Sequence, residues 1–219
     1  MKIIPTHKEL QQQDFSQLLD KRYKKKILAK PLYNGAKRIC DLLIGVPATI
    51  IFLPLMMIIG LAIRLTSKGK AIFAHKRVGK DGKLFTIYKF RTMLKGSEKQ
   101  AFSPTSQSDE RITKVGKFLR RTSLDELPQL FNIILGNMSL VGPRPEMEFI
   151  VQTYTPIEKT RLLVKPGLTG LWQIAGRKDL PLHKNLEFDL YYIEHRSILF
   201  DFSIIFKTLA VVLRGQGAY

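Results

Sequence analysis

The chain is poor in cysteine and in acid. One cysteine, Cys40, among 219 residues excludes an internal disulfide and any site built on several thiolates, and it suits a reducing compartment. It reads as a packing residue. Asp and Glu together number 18 against 36 Lys and Arg, for a formal net charge of +18 and a pI near 10.1, so the surface demands an acidic partner. The most local absence is that of any charged side chain between Leu42 and Ile63. At about 22 residues, this run is long enough to cross a bilayer as a helix.

Both flanks of the run are basic. Lys21, Arg22, Lys24, Lys25, Lys26, Lys30, Lys37 and Arg38 precede it, and Arg64, Lys68, Lys70, Lys76, Arg77, Lys80 and Lys83 follow. The positive-inside rule therefore places both ends on the cytoplasmic side. Pro54, near the middle, lacks the N–H that would continue the helix, so the expectation is a re-entrant helix, break, helix, with Pro54 as the membrane break. A kinked single-pass span, a buried core helix and a cleaved signal peptide are the competing readings; the last starts too late and has no small-residue cleavage site. Basic clusters beside an apolar anchor are attracted to anionic lipid, which accounts for the charge without nucleic acid.

Residues 1–34 form a polar, basic arm, expected to be mobile or weakly helical near the membrane. Asp41, at the mouth of the apolar run, is expected to pair with Lys37 or Arg38, one turn earlier. The membrane element occupies 35–66. From Ala71 the pattern alternates, then meets Gly79-Lys80-Asp81-Gly82, then alternates again from Leu84 to Phe90: a β-hairpin along which His75, Arg77, Lys89 and Arg91 read as solvated cations. The polar stretch 95–108 is a loop. A basic amphipathic helix follows, with Ile112, Val115, Phe118 and Leu119 on one face and Lys114, Lys117, Arg120 and Arg121 on the other. Near the C-terminus, Leu186 to Ile193 and Ile198 to Leu213 are helical by pattern, the latter apolar enough to lie in a membrane interface.

The chemistry-bearing stretch begins at Ser123. Ser123 and Glu126 have capping-box spacing, and Pro128 belongs in a first helical turn, so Asp125 or Glu126 is the expected helix start. One reading makes the two carboxylates caps only. Their neighbours suggest more. Gly142, Pro143 and Pro145 fix Arg144 in a tight turn suited to bidentate phosphate binding. Lys165-Pro166-Gly167-Leu168-Thr169-Gly170 and Gly176-Arg177 repeat the device and present Lys165, Gln173 and Arg177. Adjacent carboxylates among fixed cations suggest a divalent metal and phosphate chemistry.

Lys37-Arg38 with Asp41, Tyr88-Lys89-Phe90-Arg91-Thr92-Met93, Ser123-Leu124-Asp125-Glu126-Leu127-Pro128-Gln129-Leu130, Val141-Gly142-Pro143-Arg144-Pro145 and Lys165-Pro166-Gly167-Leu168-Thr169-Gly170 together resemble the bacterial sugar transferases, the monotopic polyprenyl-phosphate phosphoglycosyl transferases. The likeness covers about residues 35 to 219, in the small form that lacks an extra N-terminal membrane domain. The resemblance implies that Asp125 is a nucleophile, that Glu126 helps to hold Mg²⁺ with Asp125, and that Lys89, Arg120 and Arg144 contact phosphate. It also implies a UDP-sugar donor and undecaprenyl phosphate as acceptor. Two positions depart from the family pattern: Leu53-Pro54 stands where small members commonly have Ser-Pro, and Ala175 where an Asn precedes the Gly-Arg pair.

The expected fold is accordingly α+β and mainly helical, in a monotopic membrane protein: a re-entrant helix, a β-hairpin and interfacial amphipathic helices around a small cytosolic catalytic core spanning 67–219. The expected place is the cytoplasmic face of the bacterial inner membrane, with anionic lipids as partners, no nucleic acid, and a homodimer left open. The rival from another class is a non-catalytic membrane scaffold of a polysaccharide assembly complex. The identity of the sugar and of the pathway is not legible.

Overall fold

The computed structural model describes residues 4–97, 109–175 and 185–213. In chain order these form α1 (His7–Gln11), α2 (Lys21–Leu28), α3 (Pro31–Thr66), β1 (Ile72–Val78), β2 (Leu84–Phe90), α4 (Lys114–Thr122), α5 (Gln129–Ile134), β3 (Ser139–Val141), α6 (Glu148–Val151), β4 (Gly167–Thr169), α7 (Leu171–Ala175), α8 (Glu187–His195) and α9 (Ile198–Leu213). Strands β1 and β2 pair antiparallel, and β3 and β4 pair parallel. The architecture is α+β and mostly helical.

Helix α3 dominates the fold. Its 36 residues would extend about 54 Å if straight, and it is long and apolar enough to cross a membrane. The expected break at Pro54 does not interrupt it: helix runs through both Pro47 and Pro54. An internal proline removes one backbone bond and crowds the preceding turn, which can bend a helix without ending it. Asp41, Gly45, Thr49, Met56, Ile59 and Ile63 are buried, at helical spacings that make one stripe along the whole length. Gly45 packs against Ile133 of α5, whereas Met56, Ile59 and Ile63 pack with Phe90 and Leu119. Elsewhere the helix is apolar and open, with Leu43, Ile50, Ile51, Met57, Ile58 and Leu61 exposed.

Polar contacts fasten the start of α3, and they differ from the expected local pairing. Lys37 pairs with Asp201 of α9 at 2.8 Å. Arg38 donates to the carbonyls of Ile133 and Ile134 at 2.7 and 2.8 Å, which neutralises the C-terminal end of α5. Asp41 accepts from Ser139 Oγ and from the Leu140 N–H, both at 2.9 Å. Proximity in sequence lost to partners whose own donors and acceptors needed satisfying.

The hairpin forms as read. Asp81 and Gly82 take left-handed conformations at φ 56° and 76°, which lets the chain reverse between β1 and β2. Its cations are not all solvated. Arg91 is buried and donates to the Ser67 and Lys68 carbonyls, closing the end of α3. The N-terminal arm also differs from expectation. Leu10, Phe15, Leu18 and Ile27 are buried in the main core with Val141, Leu171, Phe188, Ile193 and Ile204. Isolated apolar residues in a basic stretch carry little periodicity, yet each fills a place against α8 and its surroundings. Helix α8 likewise lies in the core, whereas α9 buries Phe200 and Ile204 and exposes Leu199, Phe206 and Leu209.

Candidate active site

Asp125 and Glu126 occupy a short 3-10 turn, Leu124–Glu126, between α4 and α5. Ser123 ends α4 in a left-handed conformation, φ 58°, which redirects the chain. Leu124 and Leu127, three apart and therefore on one side of such a turn, pack into the cluster of Met56, Ile63 and Leu119. The two carboxylates are left on the other side. Helix α5 begins only at Gln129, with Pro128 before it, so neither carboxylate is its N-cap.

The Glu126 carboxylate goes to two cations from distant motifs. Its Oε1 accepts from Lys89 Nζ of β2 at 2.7 Å and from Arg144 Nη2 at 2.9 Å. Burial opposes its charge, but Arg144 and Lys89 hold its pKa well below the ordinary glutamate value. Asp125 makes no hydrogen bond among the described residues. Burial, and then the neighbouring Glu126 charge, push its pKa up to about 6, while Lys89, Arg120 and Arg144 pull the other way. Two adjacent carboxylates are thus driven apart in acidity. One is a committed anion; the other is an uncommitted carboxylate that titrates near neutrality.

The loops holding Arg144 are locked backbone to backbone. Gly142 N–H donates to the Thr169 carbonyl and Gly167 N–H to the Pro143 carbonyl, both at 2.9 Å, continuing the parallel pairing of β3 with β4. A Cβ on Gly142 would collide with the Lys165 carbonyl, and one on Gly167 with the Gly142 backbone. Glycine is required there by close approach. Arg161 then fixes the turn from behind, its Nη2 donating to the Arg144 carbonyl at 2.6 Å, while the Arg144 guanidinium lies 5.8 Å from the Trp172 ring centre.

Arg120 comes from α4, where Nε donates to Thr92 Oγ1 at 3.1 Å. Its Nη1 is buried without a partner among the described residues. Burial lowers its pKa, partly offset by Asp125. The structure therefore brings Lys89, Arg120 and Arg144 to the dyad. Lys165 goes elsewhere: its Nζ lies with Arg38 beside Gly136 at the end of α5, and burial followed by the Arg38 charge lowers its pKa. Gln173 is buried on α7, close to Gly170, with neither amide atom partnered among the described residues. Arg177 lies outside the described residues. The sequence reading leaves Arg77 as a solvated cation of the hairpin, since alternation does not show which strand cations are shielded, and it misses Arg161, which no turn or motif marks.

The donor set bears on a metal. Among the described residues no group of three His, Cys, Asp or Glu could hold one, which leaves Asp125 and Glu126. Mg²⁺ commonly takes one or two carboxylates and completes its shell with water and substrate phosphates. The dyad fits that kind of shared site, in which a phosphate ligand brings the remaining oxygens.

Known proteins resemble this chain along most of its length. The family model described as bacterial sugar transferase matches residues 32–215. The chain is 42% identical over 207 residues to an undecaprenyl-phosphate galactose phosphotransferase of Salmonella typhimurium, covering 88% of this chain and 43% of that protein. It is 38% identical over 205 residues to the exopolysaccharide production protein ExoY of Sinorhizobium fredii, covering 87% and 91%. A UDP-glucose:undecaprenyl-phosphate glucose-1-phosphate transferase of Klebsiella pneumoniae is 40% identical over 191 residues, covering 84% and 41%. The chain spans less than half the length of the Salmonella and Klebsiella relatives and nearly all of ExoY. With the match running from the start of α3 past the end of α9 and taking in the whole dyad region, the chain belongs to the bacterial sugar transferase family.

Proposed function

We propose that this protein transfers a sugar 1-phosphate from a UDP-sugar to undecaprenyl phosphate, giving undecaprenyl diphosphate sugar and UMP, through a covalent intermediate on Asp125. The observation that carries the reading is the Asp125 carboxylate: half-buried, without a hydrogen bond among the described residues, raised to about pKa 6 and within the field of Lys89, Arg120 and Arg144. A carboxylate near neutrality is ionised at working pH and free to attack phosphorus. The names of the relatives from Salmonella and Klebsiella support donor and acceptor of these classes.

In the first step an Asp125 oxygen attacks the sugar-bearing phosphorus and UMP leaves. In the second, the phosphate oxygen of undecaprenyl phosphate attacks the same phosphorus and frees Asp125. Lys89 and Arg144, already fixed on Glu126, would meet the phosphate oxygens without reorganising. Mg²⁺ held by Glu126 and Asp125 together with the diphosphate would supply charge neutralisation there.

The membrane part of the proposal is a monotopic α3 on the cytoplasmic face of the inner membrane, re-entering by a bend at Pro54 within its continuous helix rather than by a break. Basic flanks support it, and so does the burial of one stripe along the whole helix: a spanning helix whose body stays on one side would leave half its turns to lipid. Single cysteines at 30 and 70, in a Cys40-free background, should share one labelling pattern in intact cells, and opposite accessibility would sink the re-entrant model. The reaction is tested by giving the protein a panel of UDP-sugars without acceptor. UMP release and the mass of one phosphosugar on the peptide containing Asp125 are expected. Turnover that needs both substrates bound at once, with no adduct in rapid-quench samples, would mean direct transfer.

A further inference from the structure

Arg77 is a shielded cation that the dyad does not use. It stands on β1 opposite Phe85, and strand alternation puts it on the hairpin face that carries Lys89, whose partner on β1 is Phe73. The four residues from Phe73 to Arg77 make about 13 Å along the strand. The next residue, Val78, bridges to Glu146, its N–H donating to the Glu146 carbonyl at 3.0 Å. That bridge sets the end of β1 against the Pro143–Glu146 turn, so Arg77 comes close to the charges of both Arg144 and Glu146. Burial lowers its pKa, Glu146 opposes the shift and Arg144 adds to it.

The Nη1 of Arg77 is shielded from solvent and has no hydrogen-bond partner among the described residues. A buried guanidinium N–H left unpaired beside a second guanidinium is costly, and native sites that keep such a group commonly pair it with a ligand or water. Glu146 does not fill the role, since no hydrogen bond or ion pair joins it to Arg77 among the described residues.

We propose that Arg77 and Arg144 form a two-guanidinium cradle for the phosphate of the departing nucleotide, one phosphate further from Asp125 than the phosphorus it attacks. The inference rests on the phosphoglycosyl transferase reading. In that reaction the bond from Asp125 oxygen to the sugar-bearing phosphorus forms as the bond from that phosphorus to the bridging oxygen breaks. The electron pair stays on the bridging oxygen, so the leaving UMP gains a negative charge. A cation fixed at that phosphate stabilises the transition state more than the bound substrate.

The test is UMP affinity, by calorimetry and by product inhibition, with the full-length protein in detergent. Arg77→Gln should weaken UMP at least tenfold and lower kcat as well as raise KM. Arg77→Lys keeps the charge but loses the planar fork, and a severalfold loss is expected; it also serves if the Gln variant does not fold. Glu146→Gln should leave UMP affinity unchanged or tighten it, because it removes a competing anion. An Arg77→Gln or Arg77→Lys protein that binds UMP within twofold of wild type overturns the cradle, and so does a Glu146→Gln protein as impaired as Arg77→Gln, which marks a structural pair. Wild-type protein that forms no UMP from any UDP-sugar defeats the transferase reading itself. Normal wild-type turnover with unchanged UMP affinity in the Arg77 variants defeats only the cradle.

Discussion

Two clusters of opposite charge lie on either side of the Arg144 turn, and they are built differently. Behind it, Arg161 and Asp189 are each 2% exposed at the side chain and joined at 2.6 Å. All three guanidinium nitrogens of Arg161 are used: Nε and Nη2 go to Asp189 Oδ2, Nη1 to the Tyr154 hydroxyl and Nη2 also to the Arg144 carbonyl. In front, Glu126 serves two cations through a single oxygen, while among the described residues Asp125 has no hydrogen bond and Arg120 keeps a shielded donor without a partner. A closed cluster holds a shape. An open one keeps unsatisfied capacity for a ligand, and burial together with the neighbouring charges drives the acidities of its two carboxylates apart.

The comparison is broken most sharply at Asp125. Asp125→Asn should lower turnover by orders of magnitude while leaving the fold intact, since it removes the attacking oxygen anion. The same change should raise the thermal midpoint by a few degrees at pH 7. The sign follows from linkage: a carboxylate whose folded pKa is raised to about 6 from an ordinary 3.8 destabilises the fold when ionised. The gain should be full above about pH 6 and vanish below about pH 4, where the carboxyl is protonated folded or unfolded. Unchanged turnover in this variant would demote the dyad to a turn-forming role.

Arg161 tests the closed cluster. Arg161→Ala leaves Asp189 buried without its cation, a loss of about 3–5 kcal/mol of stability, measured by denaturation in detergent. Activity should fall with it, because the Arg144 carbonyl loses its anchor. A variant that keeps full stability would show that the pair is not what holds the turn.

What the residues revealed, and what they concealed, follows the same division. The hairpin was legible because period-two alternation on either side of a Gly/Asp turn is a local signal. The dyad, Arg144 and the glycines of the two loops were legible because turn residues and charges stood together in sequence. Hidden from view were matters of long-range pairing: Lys37 with Asp201 rather than Asp41, Lys165 beside Arg38 rather than the dyad, and the N-terminal arm docked through single residues such as Leu10 and Leu18. The three-residue strands β3 and β4 could not be read, since their pairing depends on the close approach of Gly142 and Gly167. Helix α3 was read as apolar and long, but its packed stripe is set by Ile133, Phe90 and Leu119, far along the chain.

Arg144→Lys sharpens the open cluster. Charge is kept, but a point ammonium cannot hold Glu126, lie against Trp172 and present a planar fork at once. A fall of about ten- to a hundredfold in kcat/KM is expected, equal to roughly 1.4–2.7 kcal/mol of transition-state stabilisation, with the thermal midpoint little changed. Near-normal turnover would assign Arg144 a structural role beside Arg161.

The smallest effect concerns acidity. If Asp125 must be ionised to attack, the rate of the UMP burst in single-turnover experiments should rise with pH through about 6 and level off above 7, tracking its raised pKa. Glu126 stays ionised throughout that range, because Arg144 and Lys89 hold it far lower. Arg120 lowers the Asp125 pKa without bonding to Glu126, so Arg120→Gln should move the rising limb to higher pH, by about half a unit to one unit for the loss of one screened neighbouring charge. A limb that stays in place or moves to lower pH would mean that Arg120 is not part of the field acting on the titrating group, and the nucleophile would then have to be sought elsewhere than at Asp125.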